Sequence, residues 1–177
     1  MSLVENGLIH LYVGDGKGKT TAALGLAMRA IGAGEKVFIA QFLKGRETSE
    51  LPVLHTLGIT VMRTEDIKSF TKNMTQEEKE NAKISCQALL ENVKSAILDG
   101  NYGLIVLDEI VDAINVGFLD IDSVLGIISK RKPHTEIVMT GRNPKDKIVE
   151  AADYLTVMTA LKHPYQRGVA GRRGIEY

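Results

Sequence analysis

Residues 14–21 read Gly14-Asp15-Gly16-Lys17-Gly18-Lys19-Thr20-Thr21, in which glycines alternate with acid, lysine and hydroxyl side chains. Glycine at alternate positions lets backbone N–H groups turn towards an anion and approach it closely, since no Cβ intervenes. The stretch falls between a predicted strand and a predicted helix, the setting that a phosphate loop requires. In that setting Lys19 bridges the β- and γ-phosphates of a nucleoside triphosphate, the Thr20 hydroxyl ligates Mg²⁺, and the helix start adds partial positive charge. A glycine-rich turn that binds nothing is the bland alternative. The loop also departs from the ordinary pattern. The glycine expected five residues before Gly18 would be position 13, which is Val13; the first glycine is Gly14, so the loop is one residue tighter and should hold a triphosphate differently.

A second set of candidates is Asp108 and Glu109, which follow the apolar run Leu104-Ile105-Val106-Leu107. Carboxylates at the carboxyl end of a buried parallel strand lie where open α/β sheets bind ligands. They suit Mg²⁺, a small hard ion that takes few carboxylates and completes its shell with phosphate oxygens and water. Arg142, at the end of a later strand, is the candidate for a further phosphate contact. These residues leave two chemistries open. A P-loop NTPase or kinase would use Glu109 to orient water or a hydroxyl. A nucleotide-sensing module would bind ATP without turnover and use 70–74 as its mobile element.

The elements that must position these residues are legible from periodicity. Strands are expected at 7–13, 36–41, 59–62, 104–107, 136–140 and 155–158, and a helix at 20–31. Thr75, with Glu78 three residues on, has the spacing of a capping box. Ala82, Cys86, Leu89, Leu90, Val93 and Ile97 then fall on one helical face, which ends at Asp99-Gly100-Asn101. A further helix follows Asp120, using Val124, Leu125 and Ile128, and Asn143-Pro144 reads as an N-cap followed by proline at the first helical position. Such alternation implies right-handed βαβ crossovers, hence an α/β fold with a mostly parallel sheet and helices on both faces. Residues 1–177 read as one domain, with 1–6 a disordered or leader segment and 161–177 irregular.

Composition bounds the function. Lys+Arg and Asp+Glu are 22 each among 177 residues, so the net charge is zero, which argues against a broad nucleic-acid surface. No apolar stretch approaches the ~20 residues needed to span a bilayer, no signal peptide is visible at the N-terminus, and one cysteine cannot form an internal disulfide. A cytoplasmic protein with no membrane partner is expected. The four histidines are scattered without an i, i+4 pair, so a protein-ligated transition metal is not expected. His10 reads as structural, Met28, Met62, Met139 and Met158 as core, and the locally basic stretch 162–173 as a solvated tail or a cover for an anionic ligand.

Taken together, the motifs resemble one family. Gly14 to Thr21 followed by Ala22-Ala23, then Gln41-Phe42-Leu43-Lys44-Gly45, Val106-Leu107-Asp108-Glu109, Thr140-Gly141-Arg142, Lys162-His163-Pro164 and Gly174-Ile175-Glu176-Tyr177 stand in the order found in the P-loop corrinoid adenosyltransferases, including the shortened loop. The resemblance implies a RecA-like P-loop nucleotide-binding fold. It also implies transfer of the 5′-deoxyadenosyl group of ATP to the Co(I) of a reduced corrinoid (cobalamin or cobyrinic acid a,c-diamide) with release of triphosphate, in adenosylcobalamin biosynthesis or salvage. On that basis Lys19 and Lys17 are the expected catalytic residues. Gly14, Asp15, Gly16, Lys17, Gly18, Lys19, Thr20, Thr21 and Arg142 bind ATP, Thr20, Asp108 and Glu109 bind Mg²⁺, and Phe70 and Lys44 contact the corrinoid. Phe70 matches the family's aromatic segment, whereas Lys72 stands where well-known members carry Trp. A homodimer and a flavoprotein reductant are implied by the resemblance alone.

Overall fold

Short β-branched strands feed helices along the whole chain, and in a computed structural model every pairing between those strands is parallel. The structure describes residues 6–45, 47–65, 67 and 74–177. In chain order the elements are β1 (Ile9–Val13), α1 (Lys19–Gly32), β2 (Val37–Gln41), α2 (Leu51–Thr56), β3 (Thr60–Arg63), α3 (Gln76–Asp99), β4 (Leu104–Asp108), α4 (Ile110–Asn115), α5 (Ile121–Ile128), β5 (Glu136–Gly141), α6 (Asp146–Glu150) and β6 (Tyr154–Val157), followed by a 3₁₀ turn at Pro164–Arg167. The six-stranded sheet has the order β3-β2-β4-β5-β1-β6.

The strands sort their side chains by the period of two. Ile9, Leu11, Val13, Phe38, Ala40, Ile105, Leu107, Ile137 and Met139 join one buried cluster with the apolar faces of α3 to α6. Val37, Ile39, Leu104, Val106 and Val138 join a second with Ala23 and Ala27 of α1 and Leu54 of α2. Helices therefore cover both faces, as the near-continuous apolar runs of β2 and β4 require. No helix among the described residues is long and apolar enough to cross a membrane.

Local signals place the elements well. The Thr75 hydroxyl accepts from the Glu78 N–H at 3.2 Å while the Glu78 carboxylate accepts from the Thr75 N–H at 2.7 Å, a complete capping box. All six residues expected on one face of α3 are buried, and Gly100 ends the helix in the left-handed region at φ 66°. His10 is structural. Its ring lies 2.5 Å from the Glu136 carboxylate and stacks on Tyr154.

Three expectations are corrected. Asn143 does not cap a helix: its φ of 46° is left-handed, the Asn115 amide holds the carbonyls of Arg142 and Asn143, and α6 starts only at Asp146. Met28 is 58% exposed and Met62 is also exposed, because Met28 lies on the outer face of α1 and Met62 on the edge strand β3. The short helices α2 and α4, each six residues, follow β2 and β4 in stretches to which the sequence assigns no element.

Candidate functional site

Because the sheet is parallel, its carboxyl ends converge, and every sequence-predicted site residue that the structure describes stands at or near that end. β1 runs into the loop at 14–18, and α1 begins at Lys19 with Gly18 as its cap residue. The loop is tight for a reason that sequence alone does not give. Its Gly16 N–H donates to the Met158 carbonyl at 2.7 Å, and the Met158 N–H donates to Val13 at 2.7 Å. A Cβ on Gly14 or Gly16 would lie 2.3 or 2.7 Å from the Met158 oxygen. These two glycines are thus fixed by contact with the end of β6, and the Gly16 amide, expected to face an anion, is already committed.

Lys19 projects across this loop. Its ammonium donates to the carbonyls of Gly14 and Gly16, both at 2.7 Å. Burial and the nearby Arg142 charge lower its pKa, against the opposing pull of Asp112, Glu109 and Asp15. Lys17 points outward instead, to the Glu176 carboxylate at 2.9 Å. Asp15 accepts from the Ala160 N–H at 3.1 Å, and the Ser49 hydroxyl donates to the Tyr177 carbonyl at 3.0 Å. The tail at 159–177, exposed almost throughout, is tied to the loop through Lys17 and Asp15 and to the segment before α2 through Ser49.

Asp108 ends β4 and is 1% exposed. It accepts from Thr20 Oγ1 at 3.0 Å and from Thr140 Oγ1 at 2.7 Å, and it pairs with the Lys44 ammonium. Glu109 follows at φ 62°, an uncommon conformation for a side-chain-bearing residue and one that strand-to-helix turns at functional sites often hold. Its N–H donates to Thr140 Oγ1 at 2.9 Å, and its carboxylate lies 3.8 Å from Lys44. Burial pushes the Glu109 pKa up to about 7, helped by the charges of Asp108 and Asp112 and opposed by Lys44 and Arg142.

Lys44, expected at a corrinoid, is turned into this cluster. Burial draws its pKa down, but the attraction of Asp108 and Glu109, the hydrogen bond to Asp108 and the Glu50 charge outweigh that and leave it raised. Two carboxylates and one hydroxyl gathered around a cationic group form the sparse oxygen set that Mg²⁺ uses with phosphate and water; the ammonium stands where such an ion fits. Arg142 is exposed beside Asp112 and Lys19. The side chain of Thr21 is exposed. Phe70 and Lys72 lie outside the described residues.

Sequence reasoning missed two residues. Asp112, in the first turn of α4, receives a hydrogen bond from the Arg142 backbone N–H and faces Lys19; burial raises its pKa, against the charges of Arg142 and Lys19. Its place just past the Asp108-Glu109 pair, where the chain turns from strand into helix, was the available signal. Gln41, at the end of β2 beside Asp108 in register, is fully buried with its Oε1 unpaired. It opens the Gln41–Gly45 motif, which the sequence reading quoted without giving this residue a role.

A family model described as ATP:corrinoid adenosyltransferase BtuR/CobO/CobP matches residues 5–177. The corrinoid adenosyltransferase of Pseudomonas aeruginosa is 33% identical over 98% of this chain and 85% of its own length. The corrinoid adenosyltransferase CobA of Salmonella typhimurium is 33% identical, and the corrinoid adenosyltransferase of Escherichia coli K12 is 32% identical, each over 98% of this chain and 87% of the relative.

The raised Glu109 pKa has a consequence for stability. An unfolded chain ionises this carboxyl near 4.5, whereas the folded protein holds the proton to about pH 7. The folded state therefore binds the extra proton between those values, and stability falls as pH rises through the window. Glu109→Gln cannot ionise, so in metal-free buffer it should gain on the native protein between pH 5 and pH 8, on the order of 1 kcal/mol for a partly exposed carboxyl. Urea unfolding at the two pH values measures this; parallel pH profiles for native and variant would remove burial as the governing feature of Glu109.

Proposed function

The chain belongs to the ATP:corrinoid adenosyltransferase family, and from that premise we propose that it transfers the 5′-deoxyadenosyl group of ATP to the Co(I) of a reduced corrinoid and releases inorganic triphosphate. The observation that carries this reading is the meeting of the shortened 14–21 loop with Asp108 at one end of the sheet, through Thr20. In the reaction the Co(I) electron pair forms a Co–C5′ bond while the C5′–O bond breaks, and its pair departs on the triphosphate. Co(I) is a strong nucleophile, so no side chain has to attack and no proton has to be removed. The protein's part is to orient the two substrates and to neutralise the leaving group.

Lys19 and the loop amides outside Gly16 support the leaving triphosphate. Arg142 adds charge from the end of β5, and Asp112 keeps that guanidinium and Lys19 close to the site. Lys17 stands at the rim. Thr20, Asp108 and Glu109 would hold Mg²⁺, which when bound supplies charge neutralisation on phosphate oxygens. Phe70 packs against the corrinoid in this reading. The chain acts as one domain in the cytoplasm, a reading supported by its length and composition; a homodimer and a flavoprotein as reductant are supported by the family resemblance.

The decisive experiment is anaerobic, with MgATP and chemically reduced cobalamin followed by visible absorbance and analysis of the phosphate product. A light-sensitive adenosyl-corrinoid together with triphosphate is expected. ADP and phosphate formed without regard to corrinoid would point to an NTPase, and bound ATP with no turnover to a sensor. Lys19→Ala should lower kcat by about 10²–10³, the cost typical of removing one charge-stabilising donor, with the fold intact by circular dichroism; a variant that keeps most of its activity would refute that role. Phe70→Ala should raise KM for the corrinoid about tenfold or more, the effect of losing one aromatic contact worth ~1.4 kcal/mol, and leave ATP affinity close to native. Equal losses for both substrates would assign Phe70 to structure.

A further inference from the structure

Lys44 is an odd residue to find beside Asp108. A mostly buried lysine normally serves one carboxylate, yet this ammonium contacts Asp108 Oδ2, lies 3.3 Å from Thr20 Oγ1 and 3.8 Å from Glu109 Oε1, and its side chain is 17% exposed. Those three residues are the oxygens given above to Mg²⁺, so this inference rests on that reading. An ammonium and a divalent cation cannot share the same oxygens, because each repels the other and each requires the same lone pairs.

The backbone indicates which part gives way. Phe42 is fully buried and its N–H donates to the Asp108 carbonyl at 2.9 Å, and Leu43 turns the chain in the left-handed region at φ 57°. The segment after β2 is therefore pinned to β4, while the four-carbon stem of Lys44 is free to change rotamer. An ammonium released from Asp108 on that tether still swings from a backbone fixed next to the phosphate loop, within reach of an anion bound there.

We propose that Lys44 is an internal cation that occupies the Mg²⁺ ligand oxygens of Asp108, Thr20 and Glu109 until a metal ion arriving with the triphosphate displaces it. Metal alone must break the Lys44–Asp108 pair and leave the ammonium without an anion, so it binds weakly. Metal together with triphosphate gives the released ammonium a new partner, so the two bind cooperatively. Lys44 thereby keeps the site closed to divalent ions in the absence of nucleotide.

The test is titration of Mn²⁺ into the full chain without nucleotide, with free metal followed by its paramagnetic resonance signal. Lys44→Met should bind Mn²⁺ about tenfold more tightly than the native protein, a difference of ~1.4 kcal/mol, and Lys44→Gln should act in the same direction if the methionine variant folds poorly. Lys44→Arg keeps the cation and should retain weak binding. Asp108→Asn should abolish the tight binding gained by Lys44→Met. Neutral variants that bind Mn²⁺ no better than the native protein, while Asp108→Asn still removes what binding there is, would overturn the proposal and make the ion pair structural, with the metal site intact. Binding indifferent to Asp108→Asn would overturn the metal reading itself, and this proposal with it.

Discussion

A buried carboxylate joins the working parts of this molecule. Asp108 is almost fully enclosed, and an enclosed charge persists only where hydrogen bonds and an opposite charge replace the water it has lost. Here the replacements come from three separate elements: Thr20 from the start of α1, Thr140 from β5, and Lys44 from the segment after β2. Removal of one partner from such a buried pair typically costs about 3–5 kcal/mol, since the remaining charge is stranded. The loop, the second-strand motif and the fifth strand are therefore held in one arrangement by a single side chain.

Strand order makes this possible. β4 lies between β2 and β5, so the end of β4 is flanked by Gln41 on one side and the end of β5 on the other. β1 is one strand further out, next to β5, and its loop reaches back because α1 packs across β4 and β5. A phosphate loop on β1 and a carboxylate on β4 are distant in sequence and separated by a strand, yet the first turn of α1 closes the gap. In a parallel sheet every strand delivers its carboxyl end to the same edge, which is why one carboxylate can collect partners from so many elements.

Much of this was legible in the sequence, and the rest was hidden for identifiable reasons. Strands β2 and β4 announced themselves as unbroken apolar runs, α3 by its capping box and periodic face, and the loop by its glycines. These signals are local and depend on residue type and spacing alone. Met28 and Met62 defeated the reading because burial is decided by which face of α1 is covered and by which strand forms the sheet edge. Asn143-Pro144 carried a cap-like pair whose backbone is instead set by the Asn115 side chain, 28 residues away. Lys44 followed the same logic. Its family motif suggested a corrinoid contact, and the turn at Leu43 after β2 brings its ammonium to Asp108, a pairing that residue type alone does not give.

The two lysines of the loop illustrate how tertiary contact separates residues that sequence treats alike. Lys17 and Lys19 stand two positions apart in a glycine-rich run. Lys19 opens α1 and is drawn inward to the loop carbonyls; Lys17 precedes the helix and is exposed, paired with Glu176. The Glu176 carboxylate is held far on the ionised side by hydrogen bonds from Arg172 first and Lys17 second. An exposed pair of this kind contributes little stability, about 0–1 kcal/mol. Three such links, at Lys17, Asp15 and Ser49, nevertheless act on one short tail, and each further contact costs less chain entropy than the one before because its partner is already confined. The terminal Gly-Ile-Glu-Tyr motif is thus given a position at the rim of the 14–18 loop although all four of its residues are exposed.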